Sequence, residues 1–163
     1  MTPLRTLNRD EIACRIPHQG NMCLLDGVTA WDDRQIQCVT TSHQSPANPL
    51  RAQGRLGAAC GVEYAAQAMA VHGALVGESM SGVDAATAPR AGYLASIRSV
   101  SLHVDRLDTV SAPLLISAER ITGDDNTVLY SFSVTAGDTA LLSGRAVVVL
   151  DASALALPSG TPV

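Results

Sequence analysis

The order of apolar and polar positions divides the chain into two strands, one long helix and four further strands. Met22 to Trp31 reads as a strand, Asp32-Asp33 as a turn, and Gln35 to Thr41 as the hairpin partner. Ser42 to Gly54 contains Pro46 and Pro49 and reads as a loop. From about Leu56 to about Val76 the chain turns to Ala, Met, Leu and Gln, which favours a helix, although Gly57 and Gly61 weaken its first turns. Nearly every face of that helix is apolar or small, so other structure is expected to wrap it. Gly77 to Pro89 reads as a loop. Tyr93 to Val104, Ala112 to Thr122, Asn126 to Ala136 and Thr139 to Leu150 carry β-branched residues in partial alternation, with turns at 105–111, 123–125 and 137–138. One buried helix and about six antiparallel strands predict an α+β fold in which a curved sheet hides the helix. Residues 1–10 and the Pro-, Ser- and Gly-rich stretch 152–163 read as loose ends of a single domain, 1–163, with its core at about 14–151.

Composition narrows the function classes. A length of 163 residues suits one domain and allows a core without cross-links. A formal charge of −4 argues against a nucleic-acid partner, which calls for a basic stripe. All 11 basic residues are Arg, so Schiff-base chemistry on Lys is excluded. Cys14, Cys23, Cys38 and Cys60 form no CxxC pair, and Met1 to Asp10 is polar rather than leader-like. Free thiols in a reducing cytoplasm are expected. The 56–76 stretch is long enough to suggest a membrane span, but Glu63, Gln67, His72 and its glycines favour a core helix instead.

Glu63 is the most informative position, the only charged side chain between Leu56 and Val76. A carboxyl held among Ala, Val, Cys, Met and Leu resists ionisation and can act as a general acid. An exposed strip on the helix is the plainer alternative. Gln67, at i+4 on the same face, can hold the carboxyl by a hydrogen bond. The histidines are His18 before the first strand, His43 after the second, His72 on the helix and His103 at the end of a later strand. No HExxH spacing, G-x-S-x-G elbow or Gly-rich phosphate loop is present, so neither a metal nor another cofactor is expected. A Glu and a His are the minimum set for removing water from a 3-hydroxyacyl thioester. One takes the proton beside the carbonyl and the other protonates the departing hydroxyl. Backbone N–H groups at Ala58 and Ala59 are candidate donors to the thioester oxygen.

Over Ile16 to about Leu150 the chain resembles the hotdog-fold 3-hydroxyacyl-acyl carrier protein dehydratases of type II fatty acid synthesis. Pro17-His18 followed by Met22-Cys23-Leu24-Leu25-Asp26-Gly27-Val28 is similar to that family's "PH…LLVDRV" opening. Gly61-Val62-Glu63-Tyr64-Ala65-Ala66-Gln67 is similar to its helix, and Tyr93-Leu94-Ala95-Ser96-Ile97 to its "YF..I" strand, whose Tyr lines the acyl tunnel. The family's catalytic His lies in a "GHFPG" motif ahead of the helix; here that stretch reads Asn48-Pro49-Leu50-Arg51-Ala52-Gln53-Gly54, without His. More specifically, the segments around His18, His43 and Glu63 resemble the divergent dehydratases of aryl polyene biosynthesis.

The resemblance implies a hotdog fold and a substrate tethered to acyl carrier protein. It implies catalysis by Glu63 with His18 as first candidate for the base, His43 as second and His72 as third. Gln67, Tyr93, Ala58, Ala59 and Arg51 form the expected substrate-binding set, with Arg51 and Arg55 candidates for phosphopantetheine or the acidic carrier. Hotdog sheets pair edge to edge, so a homodimer or heterodimer with composite sites is expected. Rival readings are a hotdog thioesterase and a non-catalytic partner that completes a dehydratase heterodimer.

Overall fold

The computed structural model describes residues 6–81, 93–124 and 126–149. Its strands are β1 (Leu7–Asn8), β2 (Gly27–Trp31), β3 (Gln35–Thr40), β4 (Tyr93–Leu102), β5 (Leu114–Gly123), β6 (Thr127–Ala136) and β7 (Thr139–Val149). The helices are α1 (Arg9–Ala13) and α2 (Gly61–Ser81). All seven strands join one antiparallel sheet in the order β1-β2-β3-β5-β6-β7-β4. This is the expected α+β arrangement, with the two-residue β1 added to the six predicted strands.

Alternation decides which face of the sheet meets α2. On β6, Val128, Tyr130, Phe132, Val134 and Ala136 point inward, and Phe132 and Val134 pair across the sheet with Ala118 and Ile116 of β5. Ile36 and Cys38 of β3 continue the surface. Against it α2 sets Tyr64, Ala65, Ala68, Met69, Val71 and Leu75. Each fully buried aliphatic side chain contributes roughly 1.5–3 kcal/mol. Gly61 lets α2 begin close to β7, since a Cβ there would press on the Leu142 side chain and make it shift. The sheet covers one side of α2 only. Ala66, Ala70, Gly73 and Ala74, away from the sheet, remain partly exposed.

The boundaries depart from expectation where side chains intervene. Leu7 to Ala13 is not a loose end: Asn8 Oδ1 accepts the Glu11 N–H at 2.9 Å to cap α1, and Ile12 is buried. The strand expected from Met22 starts at Gly27, because Gly20–Met22 forms a 3-10 turn and Leu24 is bonded to side chains instead of a neighbouring strand. The helix starts later than expected, after a 3-10 turn at Ala58–Cys60, and runs on to Ser81. There Glu78 pairs with Arg15 at 3.0 Å. The remainder of the expected loop to Pro89, and the stretch 152–163, lie outside the described residues. The 137–138 turn is as expected, with Gly137 at φ +58.

Strand β4 closes one edge of the sheet and is exposed along nearly its whole length. Tyr93, Leu94, Ile97, Val100 and Leu102 are 38–48% exposed there. Among the described residues no helix is long and apolar enough to cross a membrane.

Candidate active site

His18 lies on the short segment between α1 and the 20–22 turn, and that segment is fixed locally. Gln19 Nε2 donates to Ala13 O at 2.8 Å and Ile16 O at 3.1 Å, and Arg9 Nη2 donates to Gly20 O at 2.9 Å. Glu63 stands in the first turn of α2, near the positive end of the helix, where a carboxylate gains typically 0.3–1 kcal/mol. The two side chains meet: His18 Nε2 is 3.1 Å from Glu63 Oε1. Gln67 Nε2 donates to the same oxygen at 3.2 Å, the helical bond expected from the i+4 spacing. Nδ1 of His18 is buried and has no hydrogen-bond partner among the described residues. The His18 and Glu63 side chains are 28% and 35% exposed. Glu63 is therefore half-buried in this chain, not sealed from water as its apolar helix suggested.

The other histidines are engaged elsewhere. His43, on the 3-10 turn Ser42–Gln44, is fully buried and its Nε2 meets Val110 O at 3.0 Å. A carbonyl only accepts, so Nε2 carries hydrogen there. His72 Nε2 likewise donates to Asp32 O at 2.8 Å, and its Nδ1 accepts from the Tyr130 hydroxyl at 2.7 Å. Burial disfavours the charged form of both and holds their pKa values below the ordinary histidine range. It also pushes Tyr130 up to about 12, so the phenol keeps its proton to donate. His103 is exposed at the end of β4.

The remaining expected residues scatter. Arg51 binds its own loop, donating to Ser45 O at 2.9 Å, Gly54 O at 3.2 Å and His43 O at 3.2 Å. It also lies 3.8 Å from Asp108, whose carboxyl the adjoining Arg106 guanidinium holds well below the usual carboxylate range. Asp108 in turn accepts the Leu56 N–H at 3.0 Å. The Ala58 N–H donates to Asp105 O at 3.0 Å and is engaged within the chain. Exposed Ala59, with Gly57, Ala58 and Leu102 to Asp105, lines an open cavity of about 350 Å³ beside the start of α2. None of His18, Glu63 and Gln67 lines it. Tyr93 begins β4 and is half exposed.

Sequence reasoning missed the groups that hold these parts in place. The Tyr64 hydroxyl, fully buried, accepts from Asn48 Nδ2 at 2.9 Å and lies 2.8 Å from Ser42 Oγ. Ser42 Oγ donates to Leu24 O at 2.7 Å. The sole advance signal was Tyr64 standing next to Glu63.

A curved antiparallel sheet packed on one long helix, with a carboxylate in the helix's first turn, places the chain in the hotdog class, which holds both dehydratases and thioesterases. The family model ApeP-like, described as ApeP dehydratase, matches residues 10–156, and the chain belongs to that family. It is thus a hotdog dehydratase of the aryl polyene type, as the motifs around His18, His43 and Glu63 implied. Among solved structures it is similar to the dehydratase heterocomplex ApeI:P from Xenorhabdus doucetiae, at 23% identity and TM-score 0.75, over 90% of this chain and 93% of that one. A hypothetical thioesterase with coenzyme A from Streptococcus pneumoniae TIGR4 is more distant, at 13% identity and TM-score 0.53, over 76% and 84%. So is the E. coli PaaI protein of the phenylacetic acid degradation operon, at 11% and 0.52, over 75% and 80%. No curated protein matches the chain.

Proposed function

We propose that this chain dehydrates a 3-hydroxyacyl group, thioesterified to the phosphopantetheine arm of an acyl carrier protein, to the trans-2-enoyl product. The observation that carries the reading is the 3.1 Å contact between His18 Nε2 and Glu63 Oε1. His18 takes the proton from C2, and the electron pair, delocalised onto the thioester oxygen, returns to form the C2=C3 bond as the C3–O bond breaks and Glu63 gives its proton to the hydroxyl, which leaves as water. The cycle closes without an outside reagent. The proton gained by His18 crosses the 3.1 Å contact to Glu63 and restores both groups. His43 and His72 are less suited to the base role, since each directs its Nε2 to a backbone carbonyl.

The chain works, on this reading, beside a second hotdog subunit paired along β4. Among the described residues that edge pairs only with β7, and it carries a row of half-exposed apolar side chains, which an isolated protein usually protects. The Xenorhabdus relative is itself a heterocomplex. A second chain there would exclude water from the half-exposed surfaces. A reducing cytoplasm, where carrier-bound chains are extended, suits the four free cysteines.

A second reading has a specific observation behind it. The 48–54 loop carries no His, and its Arg51 and Asn48 are bonded to the loop and to Tyr64. The chain would then be a silent subunit supporting an active one. Incubation with 3-hydroxyacyl and enoyl carrier-protein substrates, with and without a second hotdog subunit, separates the readings. Enoyl formation that depends on Glu63 supports catalysis by this chain. Free thiol release indicates hydrolysis, and enoyl formation indifferent to Glu63 indicates the silent role.

A further inference from the structure

Gln67 has no exposed surface, and its amide is committed inside the protein. Oε1 accepts the Leu24 N–H at 2.9 Å, while Nε2 donates to Met22 O at 2.8 Å and to Glu63 Oε1 at 3.2 Å. Both amide hydrogens and one acceptor direction are therefore in use. The surroundings also fix the amide's orientation. Turned over, it would set N–H against N–H at Leu24 and oxygen against oxygen at Met22 and Glu63.

Two consequences follow from that geometry. A carboxylate oxygen offers two lone-pair directions; Gln67 takes one at Oε1 while His18 Nε2 faces the same oxygen at 3.1 Å. Leu24 is gripped from its other side as well, since its carbonyl accepts Ser42 Oγ at 2.7 Å and Thr40 Oγ1. The segment from His18 to Leu24 adds no strand pairing of its own before Gly27, so these side-chain bonds, beside the local ones of Gln19 and Arg9 and the burial of Cys23 and Leu24, tie it to α2.

We propose that Gln67 is a positioning residue and not a substrate ligand. It clamps the segment bearing His18 onto α2 and, with the same amide, turns Glu63 Oε1 toward the imidazole. The catalytic half of this assignment rests on the dehydratase reading of the His18–Glu63 pair; the clamping half does not.

The test compares the full chain, together with its partner subunit, as wild type, Gln67→Ala and Gln67→Glu. Glu at this position keeps an oxygen for the Leu24 N–H but, when ionised, has no hydrogen for Met22 O or Glu63; Ala removes all three contacts. Amide exchange at Leu24 should lose its protection in Gln67→Ala and keep it in Gln67→Glu. In dehydration of a 3-hydroxyacyl carrier protein, kcat should fall on the order of 10²-fold in both variants, with KM within about twofold of wild type. A raised KM with kcat retained would make Gln67 a substrate ligand and overturn the proposal. Unchanged Leu24 protection in Gln67→Ala would overturn the clamp. Should the wild type show no dehydration, the functional reading fails and the exchange result alone decides the clamp.

Discussion

Reactivity at the site depends on which nitrogen and which oxygen are free to react. His18 shares Glu63 Oε1 with Gln67, whereas His43 and His72 hold their Nε2 hydrogens on carbonyls. Replacing Glu63 by Gln, or His18 by Ala, should reduce kcat by about 10²–10⁴-fold with the circular dichroism spectrum unchanged. His43→Ala should act instead on stability, lowering the melting temperature, because it empties a fully buried site and strips Val110 O of a donor. Tyr130→Phe leaves the buried His72 Nδ1 without its donor and should cost about 1–3 kcal/mol in denaturant unfolding. The same imidazoles set a pH dependence. Burial keeps the folded-state pKa values of His72 and His43 below the ordinary 6.5, so the unfolded chain takes up these protons first as pH falls. Stability should be full above about pH 6.5 and decline below it, and His72→Gln should flatten part of that slope in thermal melts at pH 5 to 8.

At the scale of elements, α2 supplies the carboxylate and its depth is set by Gly61 against Leu142. Gly61→Val should shift the start of the helix and cost about 1–3 kcal/mol, measured by denaturant unfolding. The long elements were legible in the sequence because their patterns persist: β6 alternates over ten residues, and α2 is rich in Ala, Met and Leu despite its glycines. Short or irregular pieces were not. Five residues of α1 are too few for a helical period to show, and the helix owes its place to the Asn8 cap and the buried Ile12. Cys23 to Asp26 carries an apolar run like a strand, but Gln67, Thr40 and Ser42 claim the backbone of Leu24. Glu63 and Gln67 could be paired from their spacing alone. That His18 and not His43 would meet them depends on how Arg9 and Gln19 fold the 17–22 segment back, which no local pattern encodes. Arg51 stood out by its charge, yet its partners are three carbonyls of its own loop and the Asp108 carboxylate.

In the assembled fold, the β4 edge, which among the described residues pairs only with β7, is a surface that a folded monomer ordinarily protects. Charge placed on β4, as in Ile97→Lys, should therefore weaken self-association or association with a second hotdog subunit, read by sedimentation, while far-ultraviolet ellipticity is retained. On the dehydratase reading, the Glu63 carboxyl group of this chain itself protonates the departing hydroxyl. The most direct test is the rate of enoyl formation from a 3-hydroxyacyl carrier protein by the assembled protein, with Glu63→Gln introduced in this chain and its partner left unaltered. A fall of about 10²-fold or more is predicted. A rate equal to that of the unaltered assembly would contradict it and leave this chain a supporting subunit.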